Sequence, residues 1–179
     1  MPDRTPGQTV GPFFHYALPY AGDRELVAVG TGIRLHGTVY DGAGEPVPDA
    51  LIEIRQADAA GVVPVVAGSL RRNGVFTGWG RCSTDRAGEY WFSTVEPGSV
   101  DGGAPFFAVT VFARGLLDRL FTRIYLPNPP PESDPLLSTL DPEDQTRMIA
   151  TRSPDGSLKL DLHLQGEDQS VFLTYPGHK

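Results

Sequence analysis

The 179-residue sequence predicts an all-β protein, an antiparallel β-sandwich with one or two short helices and an extended N-terminal arm. Short apolar runs alternate with polar residues at a period of two, which is typical of half-buried strands. Glycine (21 residues) and proline (17 residues) are frequent and fall between these runs, where they favour turns. These observations together indicate seven or eight short strands packed as two sheets.

Eight segments carry the strand pattern, and they are residues 33–40, 50–55, 76–82, 89–95, 106–113, 121–126, 158–164 and 170–175. The segment at 41–46 contains glycines that allow a positive φ and is predicted to be a turn. Residues 127–136 are too rich in proline for a helix or a central strand, so we expect a surface loop there.

One helix has clear start signals. Asp141 suits the N-cap, Pro142 suits the first helical position, and the two acidic residues that follow favour the positive end of the helix dipole. We expect this helix to run to about Arg152, and residues 116–120 to form one helical turn.

The composition excludes several classes of protein. A net charge of −7 argues against nucleic-acid binding, which needs clustered Lys and Arg. No stretch approaches the roughly 20 apolar residues of a membrane span, and residues 1–6 have no apolar core typical of a signal peptide. The single cysteine, Cys82, cannot form an internal disulfide, which fits the cytoplasm. We expect one domain over residues 1–179, with residues 1–30 as its arm and lead-in.

The residues taken one by one reveal no catalytic or metal centre. His15, His36, His163 and His178 lack the spacing of metal ligands, and a lone Cys82 removes every cysteine-based zinc site. Cys82 is best interpreted as a small core residue. No G-x-S-x-G elbow and no phosphate-binding loop is present.

Two features have more than one reading. The segment 5–16 is rich in glycine and proline and ends in the aromatic residues Phe13, Phe14 and Tyr16, so it is either a frayed terminus or an arm docked through its rings. Arg123 lies between apolar neighbours and either faces solvent or presents its guanidinium fork to a substrate carboxylate.

Several motifs, in order and spacing, resemble the intradiol ring-cleaving dioxygenases, and in particular the non-metal alpha chains of their two-chain members. The resemblance covers nearly the whole chain. It is carried by residues 5–13, 37–48, 53–61, 80–90, 94–98, 111–115, 122–125 and 164–167.

The resemblance also says what is missing. Iron-bearing members of the family hold Fe(III) with two tyrosinates and two histidines. The matching positions here are Val63, Val100 (approximately), Phe106 and Ala108, none of which offers a metal-binding atom. Phe106 and Ala108 share one face of a strand, where a His-x-His pair would grip a metal ion together. The resemblance therefore implies that this chain binds no iron and that Fe(III) belongs to a partner beta subunit.

In the family, the alpha chain's arm and one arginine reach the iron site of the beta chain. The matching positions here are Thr9, Gly11, Pro12, Phe13 and Arg123, with the implied role of shaping the pocket and binding the carboxylate of protocatechuate. The implied reaction is cleavage of protocatechuate with O2 to 3-carboxy-cis,cis-muconate. The implied assembly is an alpha–beta heteromer and higher oligomers of it, with no nucleic acid and no membrane.

Two alternatives stay open at this point. Residues 37–50 also resemble transthyretin-like and carboxypeptidase-regulatory domains, which would make the chain a free-standing β-sandwich for binding or structure. A self-sufficient hydrolase or dioxygenase with an unrecognised site is the other alternative.

Overall fold

The fold is known from a computed structural model that describes residues 11, 17–65, 74–130, 132 and 134–175. Nine strands are assigned in this part of the chain: β1 (Ile33–Tyr40), β2 (Leu51–Arg55), β3 (Trp79–Ser83), β4 (Glu89–Thr94), β5 (Phe106–Phe112), β6 (Leu120–Tyr125), β7 (Thr151–Arg152), β8 (Leu158–Lys159) and β9 (Leu162–His163). A 3₁₀ turn (Leu137–Thr139) and one short helix, α1 (Pro142–Thr146), lie between β6 and β7. No helix in these ranges is long and apolar enough to cross a membrane.

The strands form two sheets, which confirms the predicted all-β sandwich. One sheet has the order β4-β1-β8-β7, with β9 also paired to β1, and the other has the order β3-β2-β5-β6. The second sheet is antiparallel throughout. The first is mixed, because β8 and β9 run parallel to β1. The predicted antiparallel sandwich therefore holds for both sheets apart from the parallel pairing of β8 and β9 with β1.

The core lies between the two sheets and follows from the alternation of each strand. Inward residues of both sheets are buried in one cluster that includes Leu35, Val39, Tyr90, Phe92, Ile52, Ile54, Cys82, Phe107, Val109, Val111 and Ile124. Burying a large apolar side chain of this kind contributes about 1.5–3 kcal/mol. Cys82 is one of these buried residues, and burial raises the pKa of its thiol, as its interpretation as a core residue requires.

The predicted strand at 158–164 is interrupted at Leu160. The Leu160 N–H donates to the carbonyl of His36 (3.0 Å), and the Leu160 carbonyl accepts from the Tyr90 hydroxyl (2.6 Å). A Cβ at Gly37 would collide with the same carbonyl, so only glycine permits this close approach. The interruption separates β8 from β9 while both remain against β1.

Helix α1 begins as predicted and ends early. The N–H of Asp144 donates to the side chain of the N-cap Asp141 (2.9 Å). The helix ends at Thr146 rather than near Arg152, because the chain from Met148 onwards pairs with β6. Tyr125 donates to the carbonyl of Met148 (2.8 Å) and accepts from the N–H of Ala150 (3.0 Å).

Two smaller predictions are also wrong. Residues 116–120 form no helical turn, because Gly115, with φ of 87°, leads the chain out of β5 through a turn. Residues 170–175 form no strand, although the N–H of Leu173 donates to the carbonyl of Phe121 (2.7 Å). The proline-rich segment before the 3₁₀ turn is irregular where it is described. That residues 1–179 make one domain remains a prediction.

Candidate functional site

A cavity of about 470 Å³ lies at one end of the second sheet, a size within the range of small-molecule sites. Its lining includes the four residues singled out by the sequence, Val63, Val100, Phe106 and Ala108. The rest of the lining is Arg55, Gln56, Ala57, Gly98, Asp101, Gly103, Ala104, Pro105, Asp134 and Pro135. Residues that are far apart in the sequence therefore line the same cavity.

Two touching loops place the valines at the mouth. The Asp58 carboxylate accepts from the N–H groups of Ala60 and Val62 (both 2.9 Å) and so holds the turn before Val63. The Asp58 carbonyl accepts from the N–H of Gly98 (2.8 Å) in the loop that carries Val100. Val63 is 53% exposed and Val100 is 39% exposed, so this rim is apolar and open.

The floor of the cavity is the outer face of β5. Phe106 and Ala108 point outward, and Phe107 and Val109 are buried in the core. The prediction that Phe106 and Ala108 share one face of a strand is therefore confirmed. In the register of the sheet, Ala108 lies opposite Arg55 of β2 on one side and opposite Arg123 of β6 on the other. Directly opposed residues share a face. A methyl group therefore stands between two arginines.

Arg123 is tied to its own chain. Its Nη1 donates to the Tyr125 hydroxyl (2.9 Å) and lies 3.5 Å from Oδ2 of Asp134, and its guanidinium stacks 4.1 Å from the centre of the Phe106 ring. The side chain is 26% exposed. Arg123 therefore does not simply face solvent, although about a quarter of its side chain remains exposed.

Asp134 anchors this group of side chains, and its side chain is only 4% exposed. Its Oδ1 accepts from the Tyr125 hydroxyl (3.0 Å) and from the N–H groups of Leu136 (2.9 Å) and Leu137 (3.2 Å). Burial raises the pKa of Tyr125 to about 12, although the Arg123 hydrogen bond and charge oppose the shift. The phenol therefore stays protonated at neutral pH and donates to Asp134.

The sequence did not point to Asp134 as a site residue. The signal that was available is an Asp-Pro pair in a proline-rich loop, where an aspartate commonly accepts from backbone N–H groups two or three residues on. Its pairing with Arg123 joins residues on two different elements, and no local pattern indicates it.

Arg55 is the second residue that sequence reasoning missed. It lines the cavity and its side chain is exposed at the end of β2. Unlike Arg123, it has no carboxylate within ion-pair distance among the residues that the structure describes. The other carboxylate at the mouth, Asp101, is exposed in the turn at 100–103.

The lining does not suit an iron ion. Val63, Val100, Phe106 and Ala108 carry only carbon side chains, and the Oδ1 atom of Asp134 is already occupied by three donors. Among the described residues no three His, Cys, Asp or Glu side chains cluster closely enough to hold a metal ion. In this family ferric iron is held by phenolate oxygens together with imidazole, and the described lining of the cavity has neither.

The remaining candidates from the sequence lie elsewhere. Gly11 is exposed, whereas Thr9, Pro12 and Phe13 lie outside the described residues. His36 contacts the Ser157 hydroxyl (3.3 Å), and burial together with the charges of Arg34 and Lys159 lowers the pKa of its imidazole. His163 stacks on Tyr40 with ring centres 5.0 Å apart. Neither histidine faces the cavity.

Comparison with known proteins gives a consistent result. The profile of a family described as dioxygenase matches residues 18–105. The protocatechuate 3,4-dioxygenase alpha chain of Burkholderia cepacia is 34% identical over 95% of this chain and 96% of its own. The beta chain from the same organism is 31% identical over 78% of this chain and 67% of its own. Among solved structures, the dioxygenase domain of a dioxygenase–carbohydrate-binding fusion from Streptomyces sp. SirexAA-E matches 92% of this chain and 99% of its own at 26% identity, with a TM-score of 0.64.

Proposed function

This chain belongs to the intradiol ring-cleavage dioxygenase family, and we propose that it is the non-metal alpha chain of a protocatechuate 3,4-dioxygenase. In this role it completes the substrate pocket of an iron-bearing beta chain. The pair cleaves protocatechuate with O2 to 3-carboxy-cis,cis-muconate. The beta chain supplies Fe(III), and this chain supplies residues that shape the pocket and bind the substrate.

One observation carries the proposal. The match to an alpha chain spans nearly the full length of both proteins, and it is longer and closer than the match to the beta chain from the same organism. Among the described residues the lining of the cavity has no imidazole and no phenolate, which supports the same assignment, because an alpha chain relies on its partner for iron. An alpha–beta heteromer, higher assemblies of it and a cytoplasmic location are parts of this proposal.

The reading as a free-standing binding or structural module has no support of its own. The relatives and the solved structure described above are dioxygenases, and they match far more of the chain than residues 37–50, on which that reading depends.

Within the proposal, Thr9, Gly11, Pro12 and Phe13 of the arm and Arg123 contact the substrate in the partner's pocket. A carboxylate partly removed from water needs a compensating charge. Arg123 uses Nη1 for Tyr125 and Asp134, and Nε and Nη2 make no hydrogen bond with a described residue. These donors are the ones that would orient the carboxylate of protocatechuate, so that Arg123 acts on binding and positioning rather than on bond making.

The test is ring cleavage by this chain purified together with an iron-bearing protocatechuate 3,4-dioxygenase beta chain from the same source. We expect neither chain alone to match the rate of the pair. Deleting residues 1–12 should lower turnover by the pair while leaving the sandwich folded. A fully active beta chain alone, or an unaffected deletion, would overturn the proposed role of this chain or of its arm respectively.

The role of Arg123 is tested by comparing two substrates. Arg123→Ala should lower kcat/KM for protocatechuate about tenfold through a raised KM, with a much smaller loss for catechol, which lacks the carboxylate. Arg114→Ala is the comparison variant, since Arg114 also lies in a family-like motif but is 55% exposed and pairs with Asp49 (2.9 Å). Two results would show that Arg123 does not bind the substrate carboxylate. One is an equal loss of kcat/KM for protocatechuate and catechol in Arg123→Ala, and the other is a larger protocatechuate-specific loss in Arg114→Ala.

A further inference from the structure

We propose that the cavity around Ala108 binds a small aromatic carboxylate without a metal ion, with the ring over Phe106 and Ala108 and the carboxylate at Arg55. This inference goes beyond the proposed function, because it assigns a ligand to this chain's own cavity rather than to the partner's iron site. It depends on the shape and charge of the cavity.

The size of the cavity fits a substituted ring. A dry apolar cavity of roughly 150 Å³ already accepts benzene. The present cavity is about 470 Å³, which leaves room for a single ring with polar substituents but not for a large cofactor.

The walls favour a flat apolar group. Val63, Val100 and Pro105 form the sides and Phe106 with Ala108 forms the floor. The Phe106 ring is held in place by the Arg123 guanidinium at 4.1 Å and by Tyr125, with ring centres 5.6 Å apart. A fixed aromatic ring next to a bare methyl position offers a surface on which another ring can lie. A larger residue at 108 would occupy the same space.

The charges select an anion. Asp134 is the buried carboxylate of the lining, and it is balanced by Arg123 and by three hydrogen-bond donors to its Oδ1. Arg55 lies two strands from Arg123 across Ala108, and no described carboxylate balances it. Asp101 lies at the open mouth, where solvent screens its charge. A guanidinium that no described carboxylate pairs with, beside an apolar floor, suits a carboxylate attached to a ring.

The described lining has no imidazole and no phenolate, and this difference from an iron site leads to a testable consequence. An iron centre binds a catechol through both ring oxygens, so it discriminates strongly between rings with and without adjacent hydroxyl groups. This cavity has no such requirement. We therefore expect benzoate and protocatechuate to bind the metal-free chain within about threefold of each other, and benzyl alcohol, which keeps the ring but not the charge, to bind at least about tenfold more weakly.

The experiment is calorimetric titration of the full chain, purified with a chelator, against these three compounds. Arg55→Gln should weaken benzoate binding about tenfold and leave benzyl alcohol unchanged. Ala108→Leu should abolish the binding of all three. Arg86→Gln, an exposed arginine in the turn before β4, is the matched control and should change nothing. Val63→Trp at the exposed rim is a second blocking variant, used if Ala108→Leu fails to fold.

Absence of benzoate binding at millimolar concentration would overturn the inference. So would benzoate binding that Arg55→Gln leaves intact, or binding that appears only when iron is added. The outcome is separable from the proposed function, because no turnover and no beta chain are involved. If the metal-free chain does not bind benzoate but the alpha–beta pair cleaves protocatechuate, only this inference is rejected. If the chain binds benzoate but the pair does not cleave protocatechuate, only the proposed function is rejected.

Discussion

Arg55 and Arg123 occupy equivalent places on the same sheet and behave differently. Both lie directly beside Ala108 on the outer face, one on each neighbouring strand. Arg123 is paired with a buried aspartate, hydrogen-bonded to a tyrosine and stacked on a phenylalanine. Arg55 is exposed and lacks a described anionic partner. The contrast indicates that the fold fixes the Arg123 guanidinium through Nη1 and leaves only its Nε and Nη2 for a ligand, whereas no described carboxylate engages the Arg55 guanidinium.

This difference originates in the chain that follows β6. The loop after Tyr125 returns across the sheet and brings Asp134 over Arg123, where two backbone N–H groups and the Tyr125 hydroxyl fix the carboxylate. No comparable segment among the described residues covers Arg55. The loop above each arginine therefore decides how much of its guanidinium is engaged within the fold and how much remains for a ligand.

The largest effect is expected from Asp134→Ala. This change leaves the Arg123 charge and several partly buried donors without their acceptor, which should lower the free energy of unfolding by about 3 kcal/mol. For a chain of this size that corresponds to a fall in Tm of roughly 6–12 °C. Asp101→Asn, at the exposed mouth, is the control and should stay within about 0.5 kcal/mol, because asparagine tolerates the positive φ of 51° at this position. A loss below about 1 kcal/mol would mean that the Arg123 side is no more structural than the Arg55 side.

The second prediction concerns high pH and the same group of residues. The pKa of Tyr125 is raised from its ordinary value of 10 to about 12. Between these values the unfolded chain has released the proton while the folded chain retains it, so the free energy of unfolding falls as pH rises from about 10 towards 12. Tyr125→Phe should make this fall shallower. Burial also raises the pKa of Tyr90, which is common to both proteins and cancels in the comparison.

Denaturant titrations of the wild type and Tyr125→Phe at about pH 9 and about pH 11 measure that difference. Identical slopes against pH would show that the Tyr125 phenol is not held in a buried environment. They would also weaken the case for the Arg123 side as a fixed structural unit.

The smallest effect on stability is expected from Arg55→Gln. An exposed side chain without an ion pair contributes little, so the free energy of unfolding should change by no more than about 0.5 kcal/mol. Chemical denaturation of the wild type and the variant tests this. A loss of more than about 1 kcal/mol in the free energy of unfolding would show that Arg55 stabilises the fold, as Arg123 does.

The strands could be predicted because period-two alternation reports burial directly, and β1 agrees with its predicted range at both ends. The facing of Phe106 and Ala108 follows from the same alternation. The parallel pairing of β8 and β9 could not be predicted, since it depends on the close approach permitted by Gly37. The early end of α1 could not be predicted either, because the chain from Met148 onwards pairs with β6, which is distant in sequence, instead of continuing the helix.

Some residues of the candidate site could be predicted from the sequence, but their meeting around one cavity could not. The resemblance identified Val63, Val100, Phe106 and Ala108, but only the folded loops bring the two valines over β5. Asp134 was missed because its role depends on its contact with Arg123 on another element. Arg55 was missed because its role depends on having no described carboxylate partner. Whether an arginine on this sheet is paired depends on the path of the loop that follows β6. Neither the period of the strands nor the spacing of motifs in the sequence predicts that path.

The central claim is that this chain contributes a cavity without iron to an enzyme whose iron lies in its partner. The most direct measurement is the iron content of the purified chain beside that of its complex with the beta chain. The account predicts far less than one iron per chain for this protein alone and about one per alpha–beta pair, accompanied by the visible absorption of a tyrosinate–iron centre only in the complex. Stoichiometric iron coordinated within this chain alone would contradict it.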